Sequence, residues 1–376
     1  MDRRAFLKTA AFTTAGVAMA GFAETTFLAQ PGWADIASDA GDTFGASVQT
    51  IGSQTTVEAL LALEAMAGRR FDTVHNRMPW QTHLVNNYSE FIANRGQVPI
   101  LSWFTRGKGG GVKWADIAAG KQDDRITAEA TALKAAGWPA YFCFHKEPEN
   151  EPWLGNASDW VAAHDRVWRI FQSVGVTNAT IVACFMAPTF RGSYGGLAAW
   201  EPPHYDVLGV DGYNRNVHGN WRTFEKIFTP AHGSATARNR KLFVIEHGCV
   251  EGAPGQKAQW FADATTIAKS WPELIGVSYN HETGHSGNDA NMNYRVDTSQ
   301  SSINAFAAEG ATTFFNPSQI FYSTTGTTVP PAGGGSGNGA HRATPKPRNV
   351  SDRHRAGHHH RRHKLRARVR GGSLGA

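Results

Sequence analysis

Short, nearly continuous apolar runs alternate with longer amphipathic stretches from about residue 42 to residue 310. Most of these runs lack the strict alternation of a half-exposed strand, so they predict strands that are buried on both faces. The eight predicted strands are residues 44–49, 71–75, 98–104, 140–147, 180–186, 205–211, 241–246 and 275–279. Strands of this kind are typical of a parallel sheet that helices cover.

The stretches between the predicted strands carry helix signals. Thr55 and Glu58 predict a capping box at the start of an apolar helix, and Gly68 predicts its end. Residues 256–270 have a similar character and stop before a Trp-Pro pair. Eight strands with intervening helices are what a (β/α)8 TIM barrel requires, so we predict an α/β fold of that class with a single catalytic domain.

Two of the predicted strands end in a glutamate. Glu147 ends the fourth strand and Glu246 the seventh, 99 positions later. Three β-α units fit into this interval at about 33 residues each, close to the usual size of such a unit. Because all strands of a barrel end at the same face, we expect both carboxyl groups to meet across its mouth. A pair of carboxyl groups is what cleavage of a glycosidic bond requires.

The residues around each glutamate favour different roles. Glu147 opens an acidic cluster with Glu149 and Glu151, and such a cluster raises the pKa of its least solvated member, which suits a general acid. A carboxylate at Glu246 would be kept ionised by nearby donors. The candidate donors are His145, His247 and Tyr213.

Aromatic residues also fit a sugar site. Twelve tryptophans are present, and those at predicted strand ends or in loops have flat faces that stack on pyranose rings. The five in such positions are Trp80, Trp103, Trp153, Trp200 and Trp221. We expect about two of them to contact substrate, and we place Trp153 among the substrate contacts.

Several segments together resemble clan A of the glycoside hydrolases, and most of all family 26, the mannanase-type family. These segments are residues 44–48, 101–103, 117–124, 144–150, 207–214 and 244–246. The resemblance implies a retaining double displacement without a cofactor or metal, in which Glu147 is the acid/base and Glu246 the nucleophile. It also implies that Tyr213 positions the nucleophile and that Trp103 lines the sugar site. We predict further substrate contacts from His145, Asp211 and His247.

The chain departs from the family pattern at two points. The family usually has histidine directly before the acid/base, whereas Lys146 stands here and His145 lies one step earlier. Glu149 therefore stays open as a second candidate acid. The eighth strand ends in Tyr279 and Asn280, where clan members often have tryptophan. The substrate thus stays open among β-linked polysaccharides, with mannan as first choice, followed by mixed-linkage glucan or xylan.

Two other functions are alternatives. Residues 281–285 match the H-E-x-x-H signature of zinc metallopeptidases, but that chemistry needs both histidines one turn apart on a helix. Gly284 and the polar residues that follow predict a loop instead. The second alternative is a catalytically silent carbohydrate-binding barrel, which Lys146 and the atypical eighth strand suggest.

The two ends of the chain differ from the body. Residues 1–23 contain Arg3-Arg4 followed by Phe-Leu-Lys and a mild apolar stretch, which is typical of a twin-arginine signal peptide. We assign residues 24–41 to a linker, 42–328 to the barrel and 329–376 to a disordered tail rich in Gly, Arg and His. We therefore expect a bacterial protein that is secreted, periplasmic or attached to the cell wall, without a membrane span.

Charge is unevenly distributed along the chain. The formal net charge is +6, but the tail is strongly basic, and between the signal peptide and the tail Asp and Glu outnumber Lys and Arg. An acidic body argues against nucleic acid as a partner. The composition of the tail favours binding to an anionic cell-wall polymer or weak metal binding through its histidines, or else a solvated segment without a specific ligand. The three cysteines lie in or beside apolar runs and predict buried thiols.

Overall fold

A computed structural model describes residues 41–107, 110–216, 219–284 and 292–317, together with the backbone of 320–321 and 328–329. The predicted signal peptide, nearly all of the predicted linker and the basic tail lie outside these residues. Within the part that is described, no helix has both the length and the apolar character needed to cross a membrane.

Eight parallel strands close into a barrel, with β1 hydrogen-bonded to both β2 and β8. Neighbouring strands pair in chain order around the ring. The strands are β1 Thr43–Val48, β2 Thr73–Pro79, β3 Val98–Phe104, β4 Ala140–Phe144, β5 Ala179–Met186, β6 Val207–Asn214, β7 Lys241–Cys249 and β8 Leu274–His281. This topology confirms the predicted (β/α)8 TIM barrel.

Helices connect the strands and cover the outside of the barrel. In the described part of the chain they are α1 Thr56–Ala67, α2 Asn87–Asn94, α3 Trp114–Ala118, α4 Asp123–Ala136, α5 Ala157–Val174, α6 Leu197–Trp200, α7 Phe224–Ala237, α8 Gln256–Ala268 and α9 Gln300–Gly310. The predicted capping box of Thr55 and Glu58 is present at the start of α1. Gly68 ends that helix with φ at 68°, a left-handed conformation that glycine adopts without strain.

Strand starts agree with the sequence pattern to within two residues, and the larger differences are at the carboxyl ends. β3 matches its prediction, whereas β6 and β7 continue three residues beyond theirs. The predicted fourth strand was too long, because β4 stops at Phe144. His145 and Glu147 have φ values of 43° and 52°, which no strand can accommodate. Glu147 therefore lies on a turn just past the strand.

Side chains of alternate strand residues fill the barrel interior. One apolar cluster takes residues two apart on β3, β4, β5 and β7, including Cys143 and Cys184. A second and larger cluster lies between the strands and the helices. All three cysteines are buried and none forms a disulfide, as predicted.

A buried carboxyl group on α9 makes folding sensitive to pH. Glu309 is 3% exposed and accepts a hydrogen bond from the Thr265 hydroxyl of α8 at 3.4 Å. Burial raises the pKa of Glu309 to about 8, against 4.5 for a free glutamate. The folded state thus binds this proton more tightly than the unfolded state, and stability falls as pH rises between these values.

Replacing Glu309 by glutamine should remove this pH dependence, because the amide does not titrate. We expect Glu309→Gln to be more stable than the wild type above pH 8, with a smaller difference at low pH. Denaturant unfolding at several pH values measures this, with Glu90→Gln on the exposed face of α2 as the control. Parallel stability profiles for wild type and Glu309→Gln would contradict the interpretation.

Candidate active site

A cavity of about 440 Å³ opens at the carboxyl ends of the barrel strands. Glu147 and Glu246 both line it, together with Lys146, Asp211 and Tyr213. The structure therefore brings the two sequence-predicted catalytic residues to one cavity, along with two of the predicted substrate contacts. This face is where TIM-barrel enzymes have their catalytic residues.

The backbone turn after β4 aims Glu147 at the cavity. His145 and Glu147 both lie in the left-handed region, which costs a non-glycine residue about 1–3 kcal/mol. The amide of His145 donates to the Trp103 carbonyl at 3.0 Å, and that of Glu147 donates to the Cys184 carbonyl at 2.9 Å. The neighbouring strands β3 and β5 thus hold this strained turn on both sides.

The ring of His145 stabilises the same turn through a buried hydrogen bond. It is fully buried, and its Nδ1 accepts a hydrogen bond from the Thr105 amide at 2.9 Å. Burial, then the charges of Arg106 and Lys146, hold the pKa of His145 well below its usual range, so the ring is neutral. His145 is absent from the cavity wall, and its contact with substrate stays a prediction.

Glu246 reaches the cavity through an irregularity in β7. Ile245 points into the barrel interior, so the next residue of a regular strand would face the helices. The register between β6 and β7 shifts at this point, with Val210 opposite Val244 but Asp211 opposite Glu246. Such a bulge changes the direction of the side chain that follows it.

Cationic and hydroxyl groups surround the Glu246 carboxylate, which is 3% exposed. Oε2 accepts a hydrogen bond from the Tyr213 hydroxyl and lies 3.0 Å from Lys146 Nζ. Oε1 lies 3.2 Å from His75 Nδ1 and 3.8 Å from an Arg77 nitrogen. Burial alone would raise the pKa of Glu246, but Lys146, His75 and Arg77 outweigh it and keep the pKa well below its usual value. Glu246 is therefore ionised at neutral pH.

Lys146 is the centre of this charge cluster. Its side chain is 3% exposed, and Nζ lies 2.6 Å from Asp211 Oδ2 as well as 3.0 Å from Glu246. Burial lowers the pKa of Lys146, but Asp211, Glu147 and Glu246 together raise it well above its usual range. Lys146 binds one oxygen of the Asp211 carboxylate, which is 1% exposed. Lys146 thus places a positive charge between Asp211 and Glu246.

The two candidate acids after β4 have different environments. Glu147 is half-buried and lines the cavity. Glu149 is 5% exposed and accepts hydrogen bonds from the Met186 amide at 2.6 Å and the Thr189 hydroxyl at 2.5 Å. Burial raises the pKa of Glu149 to about 7, but this side chain binds the end of β5 and the loop after it and does not line the cavity. The geometry therefore favours Glu147.

Three other predicted substrate contacts lie away from the cavity wall. Trp103 is fully buried and stacks on Trp80, with ring centroids 3.9 Å apart. His247 is fully buried and stacks on Trp260 behind the strands. Trp153 is 59% exposed on the loop after β4. The sequence pattern predicts that such residues lie at strand ends or in loops. It does not predict whether each side chain points into the cavity or toward the helices.

Other cavity residues escaped the sequence prediction. Arg77 lies near the carboxyl end of β2 and lines the cavity. Its guanidinium group forms two hydrogen bonds with the Glu282 carboxylate, at 3.1 and 2.5 Å. Tyr194, on the loop after β5, lines the cavity and is 54% exposed. Arg77 lies two residues past the predicted end of the second strand, in a largely polar segment, so the sequence pattern gave no signal for it.

The peptidase alternative does not fit this geometry. His281 is the last residue of β8, and residues 282–284 follow as loop rather than helix. His281 Nδ1 accepts a hydrogen bond from the Val296 amide at 3.0 Å, and Glu282 is paired with Arg77. His285 lies outside the described residues. The first half of the motif therefore lacks the helix that a shared zinc ion requires.

Comparison with known proteins places the chain among glycoside hydrolase barrels in fold. No family model matches the sequence. Over 277 residues it is 24% identical to Endoglucanase H of Acetivibrio thermocellus. The matched region covers 68% of this chain and 29% of that protein. The chain thus spans about three tenths of the length of this curated relative.

Solved structures extend the comparison. The catalytic domain of a family 26 endo-β-1,4-mannanase from Bacillus sp. JAMB-750 superposes with a TM-score of 0.54, at 16% identity, over 73% of this chain and 86% of that one. GH26C from Muricauda sp. MAR_2010_75 gives a TM-score of 0.52 at 12% identity, over 73% of this chain and 86% of that one. A family 26 β-mannanase from Bacteroides ovatus gives a TM-score of 0.50 at 17% identity, over 73% of this chain and 89% of that one. The predicted resemblance to the barrels of glycoside hydrolase family 26 is confirmed.

Proposed function

We propose that this protein is an exported, retaining endo-glycoside hydrolase that cleaves a β-linked polysaccharide. The observation that carries the proposal is the placement of two glutamates on one cavity wall at the carboxyl ends of the strands, where Glu147 is half-buried and Glu246 is buried and ionised. The similarity to an endoglucanase and to barrels of family 26 mannanases supports the same reaction class.

Two displacements at the anomeric carbon account for the roles of the two glutamates. In the first, a carboxylate oxygen of Glu246 attacks this carbon, the glycosidic C–O bond breaks, and Glu147 gives its proton to the departing oxygen. In the second, Glu147 takes a proton from water, the water oxygen attacks the same carbon, and Glu246 leaves as a carboxylate. This chemistry calls for a carboxyl separation of about 5–5.5 Å.

Lys146 and Tyr213 suit the second displacement in particular. Both contact the Glu246 oxygen Oε2, so they stabilise the negative charge that returns when the ester bond breaks. Asp211 keeps Lys146 oriented toward this oxygen. Since the reaction needs only carboxyl groups and water, it requires no cofactor.

The substrate order predicted from the sequence is mannan first, then mixed-linkage glucan or xylan. Structural similarity to β-mannanases supports a β-linked backbone of this kind. The Arg3-Arg4 pattern supports export by the twin-arginine route, and the basic tail supports attachment to an anionic cell-wall polymer. We keep these as parts of the same proposal.

A catalytically silent sugar-binding barrel is the second candidate function. Lys146 favours it, because an ion pair with Glu246 stabilises the free carboxylate and so weakens it as a nucleophile. Release of new reducing ends from mannan, mixed-linkage glucan or xylan by the wild type decides between the two. Binding without release would favour the silent barrel.

Removing the proposed nucleophile should stop hydrolysis while leaving the space for a substitute. We expect Glu246→Ala to release no reducing ends, and added azide to restore bond cleavage with a glycosyl azide of inverted configuration as product. Product analysis by mass spectrometry and NMR measures both. Unchanged hydrolysis by Glu246→Ala would overturn the assignment.

The choice between the two candidate acids has a separate test. Glu147→Ala should lose activity on polysaccharide but keep attack on an aryl glycoside whose leaving group needs no proton. Glu149→Gln, which retains an acceptor for Met186 and Thr189, is the matched control and should keep most of its activity. If only the Glu149 variant is inactive, Glu149 is the acid.

Lys146 should set the acid limb of the pH profile. Glu246 must be ionised to attack, so activity is lost as pH falls through its pKa. Lys146→Met removes the nearest positive charge, raises the pKa of Glu246 and moves the acid limb to higher pH. Lys146→Arg keeps the charge, so its acid limb should move less. Profiles of kcat/KM against pH measure this, with exposed Lys121→Met as the control. If the acid limb of Lys146→Met lies at the same pH as that of the wild type, Lys146 does not lower the pKa of Glu246.

A further inference from the structure

Three arginines that line the cavity have no carboxylate partner among the described residues. Arg191 follows β5, and Arg215 and Arg222 follow β6. Arg191 donates to the Lys226 carbonyl at 3.1 Å, and Arg222 donates to the Tyr213 carbonyl at 3.3 Å. These bonds orient the guanidinium groups but do not neutralise them. Within residues 41–107, 110–216, 219–284 and 292–317, none of the three forms an ion pair. We call Arg191, Arg215 and Arg222 the arginine face.

The remaining cations of the wall are matched. Arg77 is paired with Glu282, and Arg106 with Glu151. Lys146 is paired with Asp211 and Glu246, as described above. Among the described lining residues, this leaves Glu147 as the carboxylate outside any ion pair. The arginine face is therefore a surplus of positive charge beside the two glutamates.

This surplus runs against the charge of the surrounding protein. Between residues 24 and 331, Asp and Glu outnumber Lys and Arg. A positively charged wall in an acidic body concentrates its field on the cavity and attracts anions there. In addition, burial and the nearby charge of Arg222 lower the pKa of Arg191, so the two guanidinium groups repel each other. An anion between them would remove this repulsion.

An aromatic ring lies next to the arginine face on the same loop. Tyr194 lines the cavity, is 54% exposed and follows Arg191 by three positions. The indole nitrogen of Trp200 donates to its carbonyl at 2.9 Å and fixes this part of the loop. An exposed ring suits the flat face of a pyranose, while a guanidinium group forms two parallel hydrogen bonds with an oxyanion on that sugar.

We propose that the polysaccharide substrate carries carboxylate or sulfate groups, which the arginine face binds beside Glu147 and Glu246. This inference rests on the proposed hydrolase function and names the substrate class of the same site. It departs from neutral mannan as first choice, since an uncharged polymer leaves three guanidinium groups unmatched. Carboxylate and sulfate present the same chemistry to arginine, and the experiment separates them.

The test varies charge on a constant backbone. Mannan, mixed-linkage glucan and xylan are each used in hydroxyethylated, lightly carboxymethylated and lightly sulfated form. We expect the wild type to cleave a charged form about tenfold better, in kcat/KM, than the hydroxyethylated form of the same backbone at low ionic strength. High salt should reduce this ratio. The better of the two charged forms identifies the anion.

Arginine variants assign the preference to the site. The double variant Arg191→Gln/Arg222→Gln should lose most of the charged-to-neutral ratio, and Arg215→Gln part of it. Because the readout is a ratio, a general loss of folded protein does not imitate the effect. Arg70→Gln changes an exposed arginine before β2 that is absent from the cavity wall, is the control for the loss of one charge, and should keep the wild-type ratio.

The outcomes separate this inference from the proposed function. Cleavage of neutral forms at least as well as charged ones, or equal losses on both in the double variant, would overturn the inference while the hydrolase function stands. Equilibrium binding of the same polymers is measured in parallel. If no polymer is cleaved but charged forms bind in an arginine-dependent way, the hydrolase function fails and the inference stands for a binding protein. Equal binding of charged and neutral forms without cleavage would overturn both.

Discussion

One buried ammonium group organises the mouth of the barrel. Lys146 lies between Asp211 and Glu246, and each of the three is almost fully removed from solvent. Breaking a buried ion pair leaves an uncompensated charge and costs about 3–5 kcal/mol. Because the three residues come from or directly follow β4, β6 and β7, this requirement ties three parts of the barrel together at the site. It also keeps the proposed nucleophile ionised.

Local backbone irregularities make this arrangement possible. A regular β7 would turn Glu246 toward the helices, and the bulge after Val210 and Val244 turns it toward the mouth instead. The left-handed turn at His145 and Glu147 does the same for the second glutamate. Buried His145 supports that turn through Thr105. The site therefore depends on departures from ideal strand geometry that the surrounding barrel stabilises.

Periodicity and strand-end logic predicted the barrel and the two glutamates, because continuous apolar runs and their last polar residues depend on local sequence. The same logic predicted substrate contacts for Trp103 and His247, whose rings are fully buried and stack on other rings. The direction of a side chain at a strand end depends on bulges and turns that leave no mark in hydrophobicity. It also missed the arginine face. Whether Arg191 or Arg222 has a carboxylate partner depends on loops that meet only in the folded chain.

The central claim is that Glu246 bonds covalently to the sugar during turnover. An activated 2-deoxy-2-fluoro glycoside slows the second displacement and lets the intermediate accumulate, so peptide mass spectrometry can locate the attached sugar. The account predicts a single added sugar on the peptide that contains Glu246. A sugar attached to any other residue, or turnover with inversion at the anomeric carbon and no attached sugar, would contradict it.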